Sequence, residues 1–597
     1  MSVNRRTALA LIGGSAAIPA LSEAQAIEAE FVHGVASGDP LADRLIIWTR
    51  ATPVGQAAGR MPVRWAVAED AGFAHIAASG EVQTGPERDY TVKIDVTGLK
   101  PGRAYWYRFT AGAGVSPVGR ARTLPTGPLD RLTLAFVTCS LHPNGYFNAY
   151  HHIGEAGHLD AVVELGDYIY EYGAADDDYG MENGRRLGRI PEPPHDLVTL
   201  ADYRTRYAQY RRDPDLQSAH ARAPWICVWD DHEVCNDTWK GGGENHHEKT
   251  EGAFEDRKAA ALQAYFEWLP IREPAPGRPP EQIWRSFDFG DLASLTMLET
   301  RLTARSYQLE YDRPGDIPMI VYDASDPAAK KPVRDAAETA RIKAAAGADG
   351  SLPRPYVLGP DTAAIEAFVA DPSRTMMGAR QEAWLQETLA RSAARRPWQV
   401  IGNEVVMARV RSPKVEQFLG AEAMQKLLAD LPADKRAEIA RQFDLMSYDQ
   451  PFDLDGWDGY PAARRRFDAL LETLSGNVIV VSGDSHAFWT NQLQDSGGTR
   501  RLAAEFGTSS VTSPSSAEEA GFQLGDVFAK QNREVMFCDQ LAKGYIRLTL
   551  TRQAAVAEMI AVEIDRKPYA AKILARWGLA PTPGPGIGEI HRLPAEA

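Results

Sequence analysis

After about residue 130 the chain alternates apolar runs with helix-length stretches, and run after run stops abruptly at side chains able to bind metal or phosphate. Leu134-Ala-Phe-Val-Thr stops at Cys139, Ala161-Val-Val-Glu-Leu at Gly166-Asp167-Tyr-Ile-Tyr170, and Trp225-Ile-Cys-Val-Trp at Asp230-Asp231-His232-Glu233. Further on, Ser294-Leu-Thr-Met-Leu precedes Glu299-Thr-Arg301, Trp398-Gln-Val-Ile-Gly precedes Asn403-Glu404, and Asn477-Val-Ile-Val-Val-Ser precedes Gly483-Asp484-Ser-His486. Interleaved with helical stretches such as Gln381 to Arg395 and Ala462 to Leu474, these runs predict a layered α/β domain. In open α/β sheets ligands collect outside the carboxyl ends of strands, so the endings themselves are the candidate site.

The N-terminal part has another rhythm. From Phe31 to about Thr123, short apolar or alternating runs (Leu45-Ile-Ile-Trp-Thr, Val63-Arg-Trp-Ala-Val, Tyr90-Thr-Val-Lys-Ile-Asp-Val, Tyr105-Trp-Tyr-Arg-Phe) are broken by turn residues. They predict a small β-sandwich over 27–125, with Gly98-Leu-Lys-Pro-Gly turning into its last aromatic strand as in fibronectin-like modules. Pro125-Thr-Gly-Pro128 reads as a linker, 130–575 as the α/β domain and 576–597 as a Pro- and Gly-containing tail. A length of 597 residues also exceeds what one hydrophobic core organises. Gly241-Gly-Gly-Glu-Asn-His-His and the segment from Tyr311 to Pro355 interrupt the pattern, and such segments are either lids over a site or disordered insertions.

The first residues read as an export signal over 1–26: paired Arg5 and Arg6, an apolar stretch, then Ala24-Gln25-Ala26. The apolar stretch is short and interrupted by Gly13, Gly14 and Pro19, so it is not a transmembrane helix, and no later segment is a candidate for one. Twin arginines point to the export machinery that carries folded proteins, which suits a chain that loads metal before leaving the cytoplasm, and predict a periplasmic or secreted destination. The 65 basic against 80 acidic side chains give a net charge of -15, which repels a nucleic-acid backbone and leaves phosphate binding to cations. Four cysteines, Cys139, Cys227, Cys235 and Cys538, make no disulfide scaffold for a chain of this size.

Clustered carboxylates that are partly buried need countercharge, and a metal is the simplest source of it. Carboxylates and a phenolate suit a hard ion such as iron(III) or Ca²⁺, whereas a thiolate and imidazoles also serve Zn²⁺ or iron. No His-Glu-x-x-His occurs, which argues against a mononuclear zinc protease.

Gly166-Asp-Tyr-Ile-Tyr170, Asp230-Asp-His-Glu233 and Gly483-Asp-Ser-His486 resemble the ordered motifs of the calcineurin-like and purple acid phosphatase superfamily. With the leader, Phe31-Val-His-Gly-Val-Ala-Ser-Gly-Asp-Pro, Cys139 and Trp229-Asp-Asp-His-Glu-Val, the chain more closely resembles the PhoD-type alkaline phosphatases over nearly its whole mature length. The resemblance implies a four-layer fold of two mixed sheets flanked by helices. It implies iron(III) amid Cys139, Asp167, Tyr170 and His486, Asp167 bridging to Ca²⁺, and Asp231 and Asp484 holding the divalent ions. Asp231 replaces the Asn of the superfamily's Gly-Asn-His-Glu and makes the site more anionic, while Asn403 stands where the superfamily places a metal-binding His.

Cations in such a site lower the pKa of water toward about 7 and clamp the oxygens of an in-line displacement, so no protein nucleophile is needed. His232 then contacts phosphate or protonates the leaving group, or instead orients a neighbouring carboxylate. Arg301 neutralises charge on the phosphoryl group or pairs with Glu299 or another acid. The expected activity is hydrolysis of small phosphomonoesters at alkaline pH. Phosphodiester hydrolysis, including phospholipase D-like action, uses the same chemistry in a differently shaped pocket. A non-enzymatic surface protein with closed structural metal sites is the reading from another class.

Overall fold

The computed structural model describes residues 28–594 except 56–58, 177, 312, 314, 327, 328, 349 and 432; the expected signal segment lies outside the described residues. Two large sheets form its centre. The first has ten strands in the order His591–Leu593, Ala571–Leu579, Ala555–Val562, Gly544–Thr551, Arg131–Val137, Ala161–Glu164, Trp225–Cys227, Val35–Gly38, Arg44–Arg50 and Thr91–Thr97. The second has seven: Arg285–Phe289, Ala293–Met297, Trp398–Asn403, Asn477–Ser482, Arg501–Gly507, Phe488–Gln494 and Val535–Asp539. The middle of each is parallel, so Arg131–Val137, Ala161–Glu164 and Trp225–Cys227 end at one edge together, as do Trp398–Asn403 and Asn477–Ser482 in the other sheet.

The strands alternate between two cores with the period of two expected of a pleat. Val400, Ile479 and Val481 share a core with Phe136, Val163 and Ile226 of the first sheet. Their neighbours Ile401, Val478 and Val480 face the helices Gly378–Ala393 and Pro461–Thr473 through Leu385, Leu389, Phe467 and Leu471. Helices Leu200–Arg211 and Phe254–Trp268 contribute Tyr203, Tyr207 and Tyr265 to the first sheet's core, completing the helix, sheet, sheet, helix arrangement. Strands buried on both faces explain why the sequence shows unbroken apolar runs.

The N-terminal β-structure is joined to this sheet. Gly119–Arg122, Ala104–Ala111, Met61–Ala68 and Ile76–Thr84 form a separate sheet that Gly114–Val115 extends, and Val63, Val67, Tyr107 and Phe109 pack on Val35, Leu45, Ile47 and Val92. The strands carrying the latter four belong to the ten-stranded sheet, where Gly38 pairs in parallel with Trp225. Trp48, on the other face from Ile47, enters the central core and donates its Nε1–H to the Glu267 carbonyl at 2.8 Å.

Residues 576–594 of the expected tail are built into the fold: Ala571–Leu579 and His591–Leu593 are the last two strands of the large sheet, and Ile587 and Ile590 are buried in the central core. Its Pro and Gly residues form the connection between two strands. The 311–355 segment contains the strands Met319–Asp323 and Lys331–Pro332 and the helix Ala336–Ala344, with Tyr356–Pro360 completing a small sheet. Tyr311 donates its hydroxyl to the Pro451 carbonyl at 2.6 Å and Tyr322 packs on Tyr448 at 4.8 Å between ring centroids. No helix among the described residues is long and apolar enough to cross a membrane.

Candidate metal centre

The loops that leave the strand ends have unusual backbones. Cys139, Asp167, Asp484 and His486 take φ of 59°, 57°, 63° and 53°, the left-handed region that non-glycine residues seldom occupy. Strain of this kind costs about 1–3 kcal/mol per residue and persists where surrounding structure imposes it. Glu233 supplies part of that structure: its carboxylate accepts from the N–H groups of Asp167 (3.1 Å), Tyr168 (2.5 Å) and Asp230 (2.8 Å), tying two strand ends together. Gly166, at φ 108°, lies so close to Asp230 that a Cβ would sit 2.3 Å from the Asp230 Cβ. The Cys139 N–H donates to the Gly166 carbonyl and that of Ser140 to Asp167, at 3.2 and 2.8 Å.

These loops bring the acids together. Three groups, Cys139 with Asp167 and His486, Asp167 with Asp231 and His232, and Asp230 with Asp231 and Asp484, each have ligand atoms within 4.8 Å of one another. Asp167 belongs to the first two and Asp231 to the last two, so the donors run continuously from the thiol to Asp484. The Tyr170 hydroxyl donates to Asp167 Oδ2 at 3.0 Å, accepts from Ser513 at 2.7 Å and lies 3.2 Å from His486 Nε2. Asp167 Oδ1, Asp230 Oδ2 and Asp231 Oδ1 are buried without a hydrogen-bond partner among the described residues. Buried carboxylate oxygens are rarely left so, and hard cations satisfy them. The donor set therefore fits metal ions.

The electrostatics agree. Burial and then the surrounding acids push the carboxyls of Asp167 and Asp484 well above the usual range, although His232 and Arg301 respectively oppose this. Burial likewise takes Asp230 up to about 6 against the pull of Arg301. Asp231 goes the other way: burial would raise it, but His232 and Arg301 hold it below the usual range. Burial, then Asp167, raises the Cys139 thiol. Bound cations would relieve this crowding by favouring the ionised forms.

His232 is buried with its Nδ1 2.7 Å from Glu171 Oε2 and its Nε2 4.0 Å from Asp231 Oδ2. Burial disfavours charge on the ring, but Asp231, Glu171 and Asp167 outweigh it and raise its pKa well above the ordinary value. Glu171 also accepts from the Asn236 N–H and the Asn245 side chain, both at 2.7 Å, so the ring's support is itself fixed.

Arg301 is fully buried and paired with acids other than Glu299. Its Nε donates to Asp230 and its Nη1 to Asp455 at 2.8 Å, while its Nη2, lacking a hydrogen bond among the described residues, lies 3.7 Å from Asp231 and 3.8 Å from Asp484. Glu299 instead accepts backbone N–H groups of Arg301, Leu302 and Thr303. Asn403 stands at the end of its strand with both ends of its amide occupied: Nδ2 donates to the Val405 carbonyl and Oδ1 accepts from Trp457 Nε1 at 3.3 Å. Its carbonyl oxygen thus accepts one indole N–H and keeps a second lone pair.

Asp230, Glu171 and Asp455 were not singled out by sequence reasoning. For Asp230 the signal was present, since it precedes Asp231 at the same strand end; adjacent strand residues normally face opposite ways, and here the turn lets both reach the cluster. In the Gly-rich segment that follows, the His246 ring is 3% exposed, packs on Phe254 and lies 3.2 Å from Glu251.

Comparison with known proteins agrees with this geometry. A family model described as PhoD-like phosphatase matches residues 134–559, and one described as PhoD-like phosphatase, N-terminal domain, matches residues 16–125. Alkaline phosphatase D of Bacillus subtilis (strain 168) is 32% identical over 554 residues, covering 91% of this chain and 79% of the relative. A solved structure described as that of PhoD superimposes with a TM-score of 0.71 at 28% identity, covering 95% of this chain and 92% of the other. With a family model spanning most of the α/β region, a curated relative aligned over nine-tenths of the chain and a matching fold, the chain belongs to the PhoD-like phosphatase family.

Proposed function

We propose that this phosphatase is an exported, metal-dependent phosphomonoesterase. Cys139, Asp167, Tyr170 and His486 would hold an iron(III) ion, and Asp230, Asp231 and Asp484 would hold Ca²⁺ ions beside it, with Asp167 shared and the Asn403 amide oxygen as a further donor. The bound cations would supply a water of lowered pKa and countercharge for the phosphoryl oxygens. His232, held by Glu171, presents Nε2 toward the cluster and can donate a proton to the leaving oxygen. Arg301 spends two of its nitrogens on Asp230 and Asp455, which makes it chiefly a positioning residue for the acids, with Nη2 left over for phosphate. The paired arginines at the start of the chain support export through the twin-arginine machinery to the periplasm or medium.

The observation that carries this reading is the set of three buried carboxylate oxygens, on Asp167, Asp230 and Asp231, that have no hydrogen-bond partner among the described residues and lie in one continuous donor cluster. The test is hydrolysis of p-nitrophenyl phosphate against bis(p-nitrophenyl) phosphate at alkaline pH, with elemental analysis of the same preparation. The monoester should be preferred, iron and calcium should be present, and Asp167→Ala should lose hydrolysis and metal together while retaining its far-ultraviolet circular dichroism. Preference for the diester would transfer the assignment to phosphodiester hydrolysis. A full metal complement with no hydrolysis of either ester would favour closed structural sites.

A further inference from the structure

Of the tyrosines that follow the Asp167 turn, Tyr170, Tyr172 and Tyr179 spend their hydroxyls very differently. Tyr170 is buried, with its hydroxyl engaged by Asp167, Ser513 and His486. Tyr179 donates its hydroxyl to the Pro514 carbonyl at 2.7 Å, lies 3.3 Å from His486 Nδ1 and stacks on that imidazole at 6.5 Å between centroids with an interplanar angle of 22°. Tyr172 is partly exposed and makes no hydrogen bond through its hydroxyl to any described residue, though its ring is well fixed. That ring stands at 6.4 Å from Tyr170, edge-on to Tyr179 at 5.8 Å, and edge-on to His232 at 5.4 Å.

The exposed rim of the centre is made of the same residues. Cys139, Asp167, Asp230 and Asp231 are buried, whereas Tyr172, Tyr179, Asp484, Ser485 and His486 are all partly open to solvent. Approach to the donor cluster therefore passes the Tyr172 and Tyr179 rings and the Asp484 to His486 loop, against which Tyr179 stacks. A rigid tyrosine beside a histidine that faces the cluster, with its phenol O–H unspent, has the features of a substrate contact. Aromatic rings provide a flat apolar wall, and a phenol adds one directional donor.

We propose that Tyr172 is a substrate-binding and specificity residue. Its hydroxyl donates to a non-bridging oxygen of the phosphoryl group, and its ring, with that of Tyr179, forms a wall selecting esters with flat, aromatic leaving groups. The proposal rests on the phosphohydrolase reading above.

Three proteins test it: the wild type, Tyr172→Phe, which loses only the hydroxyl, and Tyr172→Leu, which also loses the ring. Each is purified with its metals, checked by elemental analysis, and assayed on p-nitrophenyl phosphate and on glycerol phosphate, with inorganic phosphate as inhibitor. Loss of a hydrogen bond to a charged oxygen should lower kcat/KM for both esters about 10- to 100-fold in Tyr172→Phe and weaken phosphate inhibition in parallel. Tyr172→Leu should in addition lose several-fold of the preference for the aryl over the alkyl ester. Wild-type kinetics and phosphate inhibition in Tyr172→Phe, together with an unchanged aryl-to-alkyl ratio in Tyr172→Leu, would overturn the proposal. So would loss of metal from Tyr172→Phe in proportion to its loss of rate, since the role would then be structural. If the wild type hydrolyses neither ester, the phosphohydrolase reading fails first.

Discussion

Glu171 lies outside the donor cluster, yet much of the centre's order runs through it. Its carboxylate receives the His232 Nδ1 contact at 2.7 Å, the Asn236 N–H and the Asn245 amide, and is fully buried. Burial raises its carboxyl, but His232, with help from Arg257 and backbone hydrogen bonding, brings its pKa below the ordinary value, so it serves His232 as a charged partner. Glu171→Ala should lower kcat/KM for p-nitrophenyl phosphate about 10- to 100-fold, the usual cost of losing the partner that orients a site histidine, while the metal content stays unchanged. Steady-state kinetics beside elemental analysis checks this, and a rate loss matched by metal loss would refute it. Such supporting residues are hard to read from sequence. Cys139, Asp167, Asp231, Asp484 and His486 were legible because each stands where an apolar run stops. Glu171 follows Tyr170 as one more polar residue, and only the fold brings the 232, 236 and 245 positions to it. Asn403 shows the converse: a position was legible, but which way its amide faces depends on Trp457, 54 residues away.

At the scale of elements the same logic decides what was visible. Parallel strands buried on both faces announce themselves by composition, and the helices Gly378–Ala393 and Pro461–Thr473 lie where their apolar spacing put them. The run Leu45-Ile-Ile-Trp has no polar residue in four, the mark of a strand between two cores rather than of a sandwich with one wet face, and all four side chains are buried. Turns that connect elements also hold buried charge. Asp458, in the short helical turn Trp457–Gly459, accepts the Val410 N–H at 2.6 Å. Burial pushes its carboxyl up to about 7, against the lowering effect of that hydrogen bond. A pKa raised from 3.8 means that the folded state takes up a proton, so the contribution to stability is complete below about pH 4 and is lost as pH climbs through about 7. Asp458→Asn keeps an acceptor for Val410 and removes the ionisation. Its Tm relative to wild type should therefore rise between pH 5 and pH 8.5, and calorimetry finding the same difference at both values would contradict the assignment.

For the whole molecule, the decisive question is whether the N-terminal β-structure is an appendage or part of the framework. A linker at 125–128 suggests an appendage, but the contacts argue otherwise. Asp39, fully buried, accepts two N–H groups of Arg285 and the N–H of Arg272, while its own N–H donates to the Trp225 carbonyl at 3.0 Å. The Trp48 ring fills the central core between Trp268, at 5.8 Å, and the Arg211 guanidinium, at 4.4 Å. Removing residues 28–125 would strip the hydrogen-bonding edge from Trp225–Cys227, whose next residues lead into Asp230 and Asp231. It would also leave Arg285 without its carboxylate, and it would open the space that Trp48 occupies. An uncovered strand edge invites association between chains, and the partly exposed Arg285 guanidinium loses the carboxylate that fixes it. A chain beginning at Asp130 should therefore be recovered mainly as aggregate or, where soluble, unfold without a cooperative transition and bind metal poorly. Trp48→Ala in the full chain, which removes one of these supports, should remain folded but lose about 3–5 kcal/mol. A truncated chain that unfolds cooperatively, with its full metal complement and the kcat/KM of the intact protein, would mean that the edge beside Trp225 is sealed without the N-terminal strands. The donor cluster would then owe them nothing.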